Sequence, residues 1–88
     1  MYAVLVRVTI NDEDEATKRL HEDVVPQVRQ APGLVAGYWV KLDGNEGRSI
    51  VVFESEEAAR AAADQVRART FEFVTLDSVD VYEVVAHT

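Results

Sequence analysis

Residues 34–54 read LVAGYWVKLDGNEGRSIVVFE, two runs rich in Val, Ile and aromatic residues on either side of Asp43-Gly44-Asn45-Glu46-Gly47. Branched and aromatic side chains suit a pleated, half-buried surface. A connection this short joins antiparallel neighbours, so Leu34–Leu42 and Arg48–Glu54 are expected to form a hairpin. Outward from the hairpin the chain is doubled. Residues 2–42 read strand, helix, strand, and residues 48–86 read strand, helix, strand again. Two β-α-β units joined by a hairpin imply an α+β, ferredoxin-like β-α-β-β-α-β sandwich. Its four-stranded antiparallel sheet would carry both helices on one face, through right-handed crossovers. At 88 residues, a single domain over 1–88 is expected.

Residues 2–10 form the first strand by composition. Asp12 and Glu15 have capping-box spacing, and the surrounding acids suit the positive end of a helix dipole. Ala16, Leu20, Val24 and Val28 follow at intervals of four, an apolar stripe. Pro26 lacks an N–H and its ring clashes with the carbonyl of Glu22. The first helix is therefore expected to kink or end near Val25, with a short turn continuing through Arg29 before Pro32-Gly33. Ser55 caps the second helix, ahead of Glu56 and Glu57. That helix presents Ala59, Ala62, Ala63 and Val66 on one face, small enough for close approach to the sheet. Residues 70–78 fit neither helix nor strand by pattern, and Val79–Ala86 reads as the fourth strand.

A sheet covered on one face should turn polar on the other. Here every strand is apolar on both. Val4, Val6, Val8 and Ile10 oppose Ala3, Leu5, Arg7 and Thr9. Ala36, Tyr38, Val40 and Leu42 oppose Val35, Gly37, Trp39 and Lys41. Ile50 and Val52 oppose Val51 and Phe53, and Val79, Val81 and Val85 oppose Tyr82, Val84 and Ala86. A second apolar face marks a partner surface. The expected partner is a second copy, burying on the order of 800 Å² per subunit.

Charge excludes several uses. Nine Lys and Arg face sixteen Asp and Glu, a net charge of −7, and the basic residues are scattered. Nucleic-acid binding needs clustered cations, so it is not expected. The opening MYAVLVRVTI lacks a basic leader region and is split by Arg7. The longest uncharged stretch, from Gln30 to Val40, is too short to span a bilayer, so neither a signal segment nor a membrane span is expected. Without cysteine there is no thiolate or disulfide chemistry, which fits a reducing cytoplasm. No metal-ligand cluster and no Gly-rich phosphate loop is present.

The candidates for chemistry are few. His21, at the edge of the first helix's stripe, would serve as a base on a phenolic or enolisable substrate. It equally fits a surface histidine beside Glu22 and Asp23. Arg7 interrupts an apolar strand. It would bind a carboxylate or phenolate oxygen, or pair with Glu83 or with an acid across a dimer interface. Trp39, the only tryptophan, would stack on an aromatic ligand or fill core or interface.

Ala31-Pro32-Gly33-Leu34-Val35-Ala36-Gly37-Tyr38, with Phe53-Glu54-Ser55-Glu56-Glu57-Ala58, resembles the dimeric α+β barrel superfamily, in particular its antibiotic biosynthesis monooxygenase-like branch. The resemblance covers the whole chain in element order. It implies a pocket between sheet and helices and a small aromatic ligand. It also implies, for some members, oxidation of aromatic polyketides by O₂ with no metal or flavin cofactor. In that oxygenase pattern the third strand points an Asn and a Trp into the pocket. The matching positions are Ser49 and Phe53, with Val51 on the same face by alternation. Ser is shorter than Asn, and Phe keeps the aromatic wall without the indole donor. Haem-degrading relatives use a His on the second helix, and none stands there. The resemblance leaves two readings: a cofactor-independent oxygenase using His21 and Arg7, or a non-catalytic ligand-binding, regulatory or structural dimer.

Overall fold

β1 (Tyr2–Ile10) lies inside a four-stranded sheet of order β2-β3-β1-β4, where it pairs antiparallel with β3 (Glu46–Phe53) and β4 (Val74–Glu83). β2 (Leu34–Lys41) completes the sheet as the antiparallel neighbour of β3. Each β-α-β unit is thus split by a strand of the other, the ferredoxin-like arrangement. The computed structural model describes residues 1–88. Register sorts the side chains as alternation requires. Val4 faces Val51 and Val81 across the sheet, and Val6 faces Ser49 and Val79. Of this set all but the half-buried Val81 are buried, together with Phe53, under Ala59 and Ala63 of α3 (Glu56–Ala68), both of which are fully buried. The missing side-chain bulk lets α3 seat directly on β1, β3 and β4.

The helix starts follow their caps. Asp12 Oδ1 accepts from the Glu15 amide at 3.1 Å and opens α1 (Glu13–Arg19). Ser55 Oγ accepts from the Ala58 amide at 3.2 Å and opens α3. The Asp12 amide donates to the Phe73 carbonyl at 3.2 Å rather than to Glu15, so only half of the capping box forms.

Pro26 acts differently from the expectation of a kink or stop. The helix widens into a π segment over Leu20–Val24, where the Val25 amide reaches the Leu20 carbonyl, and resumes as α2 (Val25–Arg29). A π turn holds more residues than an α turn, so it absorbs the proline without ending the helix. It has a second effect. Residues four apart on an α-helix overshoot one turn by about 40°, and the wider turn winds that drift back. Ala16, Leu20, Val24 and Val28 therefore all face the same cavity.

Strand limits also differ; β2 ends at Lys41 and β3 at Phe53, each one residue earlier than expected. β3 begins at Glu46 rather than Arg48, because the Leu42 amide donates to the Glu46 carbonyl and closes the hairpin around Gly44. β4 begins at Val74 and ends at Glu83, rather than running from Val79 to Ala86. A bulge opposite Arg7 and Val8 inserts one residue, so the apolar alternation shifts phase between Leu76 and Val79. At the other end Tyr2 pairs with Glu83 and the Met1 carbonyl accepts from the Val84 amide at 2.9 Å, after which Val85 is left exposed.

Gly33 stops α2 and turns the chain into β2. Its φ is +78°, its carbonyl accepts from the Glu54 amide at 2.8 Å, and an added Cβ would lie 3.2 Å from that of Ala58. Gly33→Ala is expected to lower stability by about 1–2 kcal/mol, since an L side chain is disfavoured at positive φ. Urea unfolding checks this, and an unchanged midpoint would refute it.

Candidate functional site

α3 sits on the sheet, but the α1–α2 helix stands off from it. The gap is a cavity of about 650 Å³, within the range of small-molecule sites. Its floor is Val4, Val6 and Val8 of β1 with Ser49, Val51 and Phe53 of β3. Its roof is the Ala16-Leu20-Val24-Val28 stripe, and Phe71 and Phe73 close one end. Nineteen of its 31 lining residues are hydrophobic, and the polar ones among the rest can orient a ligand.

Trp39, Ser49, Val51 and Phe53 all line this cavity. Phe53 is 1% exposed and forms the inner wall, and Ser49 is the one buried polar side chain of the core. Trp39 is half-buried on β2, directly opposite Ser49 in register. Its indole folds back over Gly37, where an added Cβ would lie 3.1 Å from Cη2. Gly37 therefore makes the seat of the ring, a role that sequence reading did not assign to it.

His21 and Arg7 stand elsewhere. His21 is exposed on the π segment, outside the cavity. Arg7 is exposed on the sheet face turned away from the helices, with Arg48 and Ser78 as its cross-strand neighbours. Glu83 lies at the far end of β4, opposite Tyr2, and makes no ion pair with Arg7. The sheet separates His21 from Arg7, so the two do not converge on one substrate.

The sequence pattern left the 69–73 segment without a role. Arg69 hydrogen-bonds Gln27 Oε1 of α2, and its guanidinium lies 4.9 Å over the Phe71 ring. Phe71 packs on Phe73 with centroids 5.0 Å apart. The two-residue spacing of Phe71 and Phe73 was the available signal. Lys41 Nζ meets Glu13 Oε1 at 2.5 Å, an exposed pair worth less than about 1 kcal/mol that ties β2 to α1. No His, Cys, Met or Tyr lines the cavity, so its wall offers no customary protein ligand to a porphyrin iron. No group of three metal-ligating side chains comes together in the structure. No helix is long and apolar enough to cross a membrane.

No protein-family model matches the chain, and no curated protein matches it by sequence. Solved structures do share its fold. HapK from Hahella chejuensis aligns with a TM-score of 0.76 at 11% identity, covering 100% of this chain and 96% of that one. A mutant of MhuD with two manganese protoporphyrin IX molecules bound per active site aligns at 0.75 and 19%, covering 100% and 98%. SnoaB, a cofactor-independent oxygenase from Streptomyces nogalater, aligns at 0.71 and 15%, covering 98% and 94%. At these identities the likeness is one of fold. It is the ferredoxin-like α+β fold expected from the β-α-β-β-α-β order.

Proposed function

We propose that the protein binds a small aromatic molecule in the cavity beneath α1 and oxidises it with O₂, using no metal or flavin. The observation that carries this reading is the cavity itself, mostly hydrophobic, roofed by an aliphatic stripe and walled by Phe53 and Trp39. The fold shared with an oxygenase of this kind adds support. Such chemistry needs an electron-rich carbanion or phenolate. The anion passes one electron to O₂, and recombination gives a hydroperoxide. Loss of water then converts a ring CH₂ to C=O, with one oxygen atom in the product and one in water. The chain's part is to hold the ring flat between the sheet and the roof and to exclude bulk water. The cavity wall has no His, and Glu13 is tied to Lys41, so the substrate must be acidic enough to arrive ionised.

Dithranol, an enolisable tricyclic anthrone, is a suitable probe. Oxygen uptake is expected to exceed the spontaneous rate and to saturate with dithranol. Val51→Trp, which fills the cavity, is expected to abolish the excess. Saturable binding without excess uptake would favour the second reading, a non-catalytic ligand-binding module, which the base-free wall supports. Absence of both binding and uptake would defeat either.

The proposal includes a second copy over the open sheet face. Tyr38, Val40, Ile50 and Tyr82 are 63%, 53%, 43% and 57% exposed there. On the same face Arg7 lies directly opposite Arg48; Arg48 is paired with Glu46 at 3.5 Å, and Arg7 has no carboxylate beside it. Asp80 of β4, opposite Leu5, gives this face a carboxylate for the arginines of a partner copy. The second reading, a non-catalytic module, uses the same dimer.

A further inference from the structure

The charges around the cavity run against those of the chain. The protein carries sixteen Asp and Glu against nine Lys and Arg, yet on the helix side of the sheet Lys41, Arg67 and Arg69 border the cavity beside a single carboxylate, Glu13. Two of these three cations are neutralised locally. Lys41 pairs with Glu13 at 2.5 Å and Arg67 with Asp64 at 3.2 Å. Arg67 also donates to the Val79 carbonyl at 2.9 Å, which anchors the end of α3 on β4. Arg69 forms no ion pair with any carboxylate. Its contacts are the neutral Gln27 side chain and the face of Phe71, and both of these residues also line the cavity.

We propose that Arg69 is the anchor for a negatively charged group on the ligand, and that the molecule taken is a flat hydrophobic anion. Its ring system lies against Phe53 and the aliphatic roof, and its charged end lies at Arg69. This inference rests on the ligand-binding reading above and adds the chemical class. A guanidinium presents a planar fork of donors that matches a carboxylate, sulfonate or enolate, and it is only weakly hydrated. The arrangement holds that fork in place before binding. Phe71 supports one face of it, and Gln27 occupies a donor that an anion would take instead. Arg69 is exposed to solvent, so an uncharged aromatic simply gains nothing from it, and the site favours an anion by that difference.

The test compares two fluorescent probes of one shape, 1-anilinonaphthalene-8-sulfonate and the uncharged N-phenyl-1-naphthylamine. Wild-type protein is expected to bind the sulfonate more tightly despite its net charge of −7. Arg69→Gln is expected to weaken sulfonate binding at least about tenfold, the loss typical of a charge-assisted hydrogen bond. The same variant should leave the uncharged probe within about twofold. Arg69→Lys keeps the charge but loses the fork, and should fall between. Arg29→Gln, which removes an unpaired arginine outside the cavity, should change neither probe. Equal weakening of both probes by Arg69→Gln would assign Arg69 a packing role and overturn the inference while leaving the cavity as a binding site. Unchanged sulfonate binding would overturn it in the same way. Failure of wild-type protein to bind either probe would overturn the ligand-binding reading itself. Thermal melting of each variant separates loss of binding from loss of fold.

Discussion

Phe53→Ala is expected to remove about 3–5 kcal/mol of stability, the range for deleting a fully buried aromatic ring. Phe53 is the largest fully buried side chain of the protein. It joins β3 to α3 and faces Tyr2 across β1 and Leu34 across β2. The upper half of the range applies, because the ring already borders a cavity and the void it leaves merges with that space instead of collapsing. Domains of this size are stable by only about 0.05–0.15 kcal/mol per residue. The loss is therefore a large share of the whole and should lower the melting temperature by more than about 10 °C. Calorimetry measures it. A fall of less than about 3 °C would place the keystone of the core elsewhere. Phe53→Leu should recover roughly half of the loss, since most of the buried volume is retained.

Ile50→Lys should turn a dimer into a monomer. Ile50 stands at the middle of the open face, between Leu5 and Tyr38 in register, and is 43% exposed in one copy. If a second copy covers it, the substitution removes apolar burial worth about 1.5–3 kcal/mol. It also adds an ammonium to a face that already carries Arg7 and Arg48. Together these should weaken self-association by at least about a hundredfold. Sedimentation velocity reads the change directly. A wild-type protein that sediments at 9.8 kDa would sink the interface argument. So would an Ile50→Lys variant that stays at twice that mass.

What the sequence made legible follows from periodicity. The Asp43–Gly47 turn and the alternation of Val4, Val6 and Val8 were enough for the hairpin, the element order and the faces of β1 and β3. The same alternation aligned Ser49, Val51 and Phe53 on the face that became the cavity wall. Periodicity failed wherever one residue was inserted. Near Asp77 the bulge moves the apolar positions of β4 from one parity to the other, so Val74 and Leu76 did not read as one strand with Val79 and Val81. At Pro26 a local rule foretold a break, whereas the structure absorbed the proline by widening the turn before it. Arg69 was illegible for another reason. Its partners, Gln27 and Phe71, come from segments far apart in the chain or without a clear pattern, and only the fold brings them together.

The π turn and the space beneath it have a consequence in time as well as in shape. α3 is held by buried alanines against three strands, while the first helix rests over a gap. Its backbone should open in partial unfolding events well below the free energy of global unfolding, as weakly docked elements do. Amides of residues 13–29 should therefore exchange with deuterium long before those of β1 and β3. The roof of the cavity then doubles as its door, and a ligand bound beneath it should slow that exchange in proportion to how tightly it holds the helix shut.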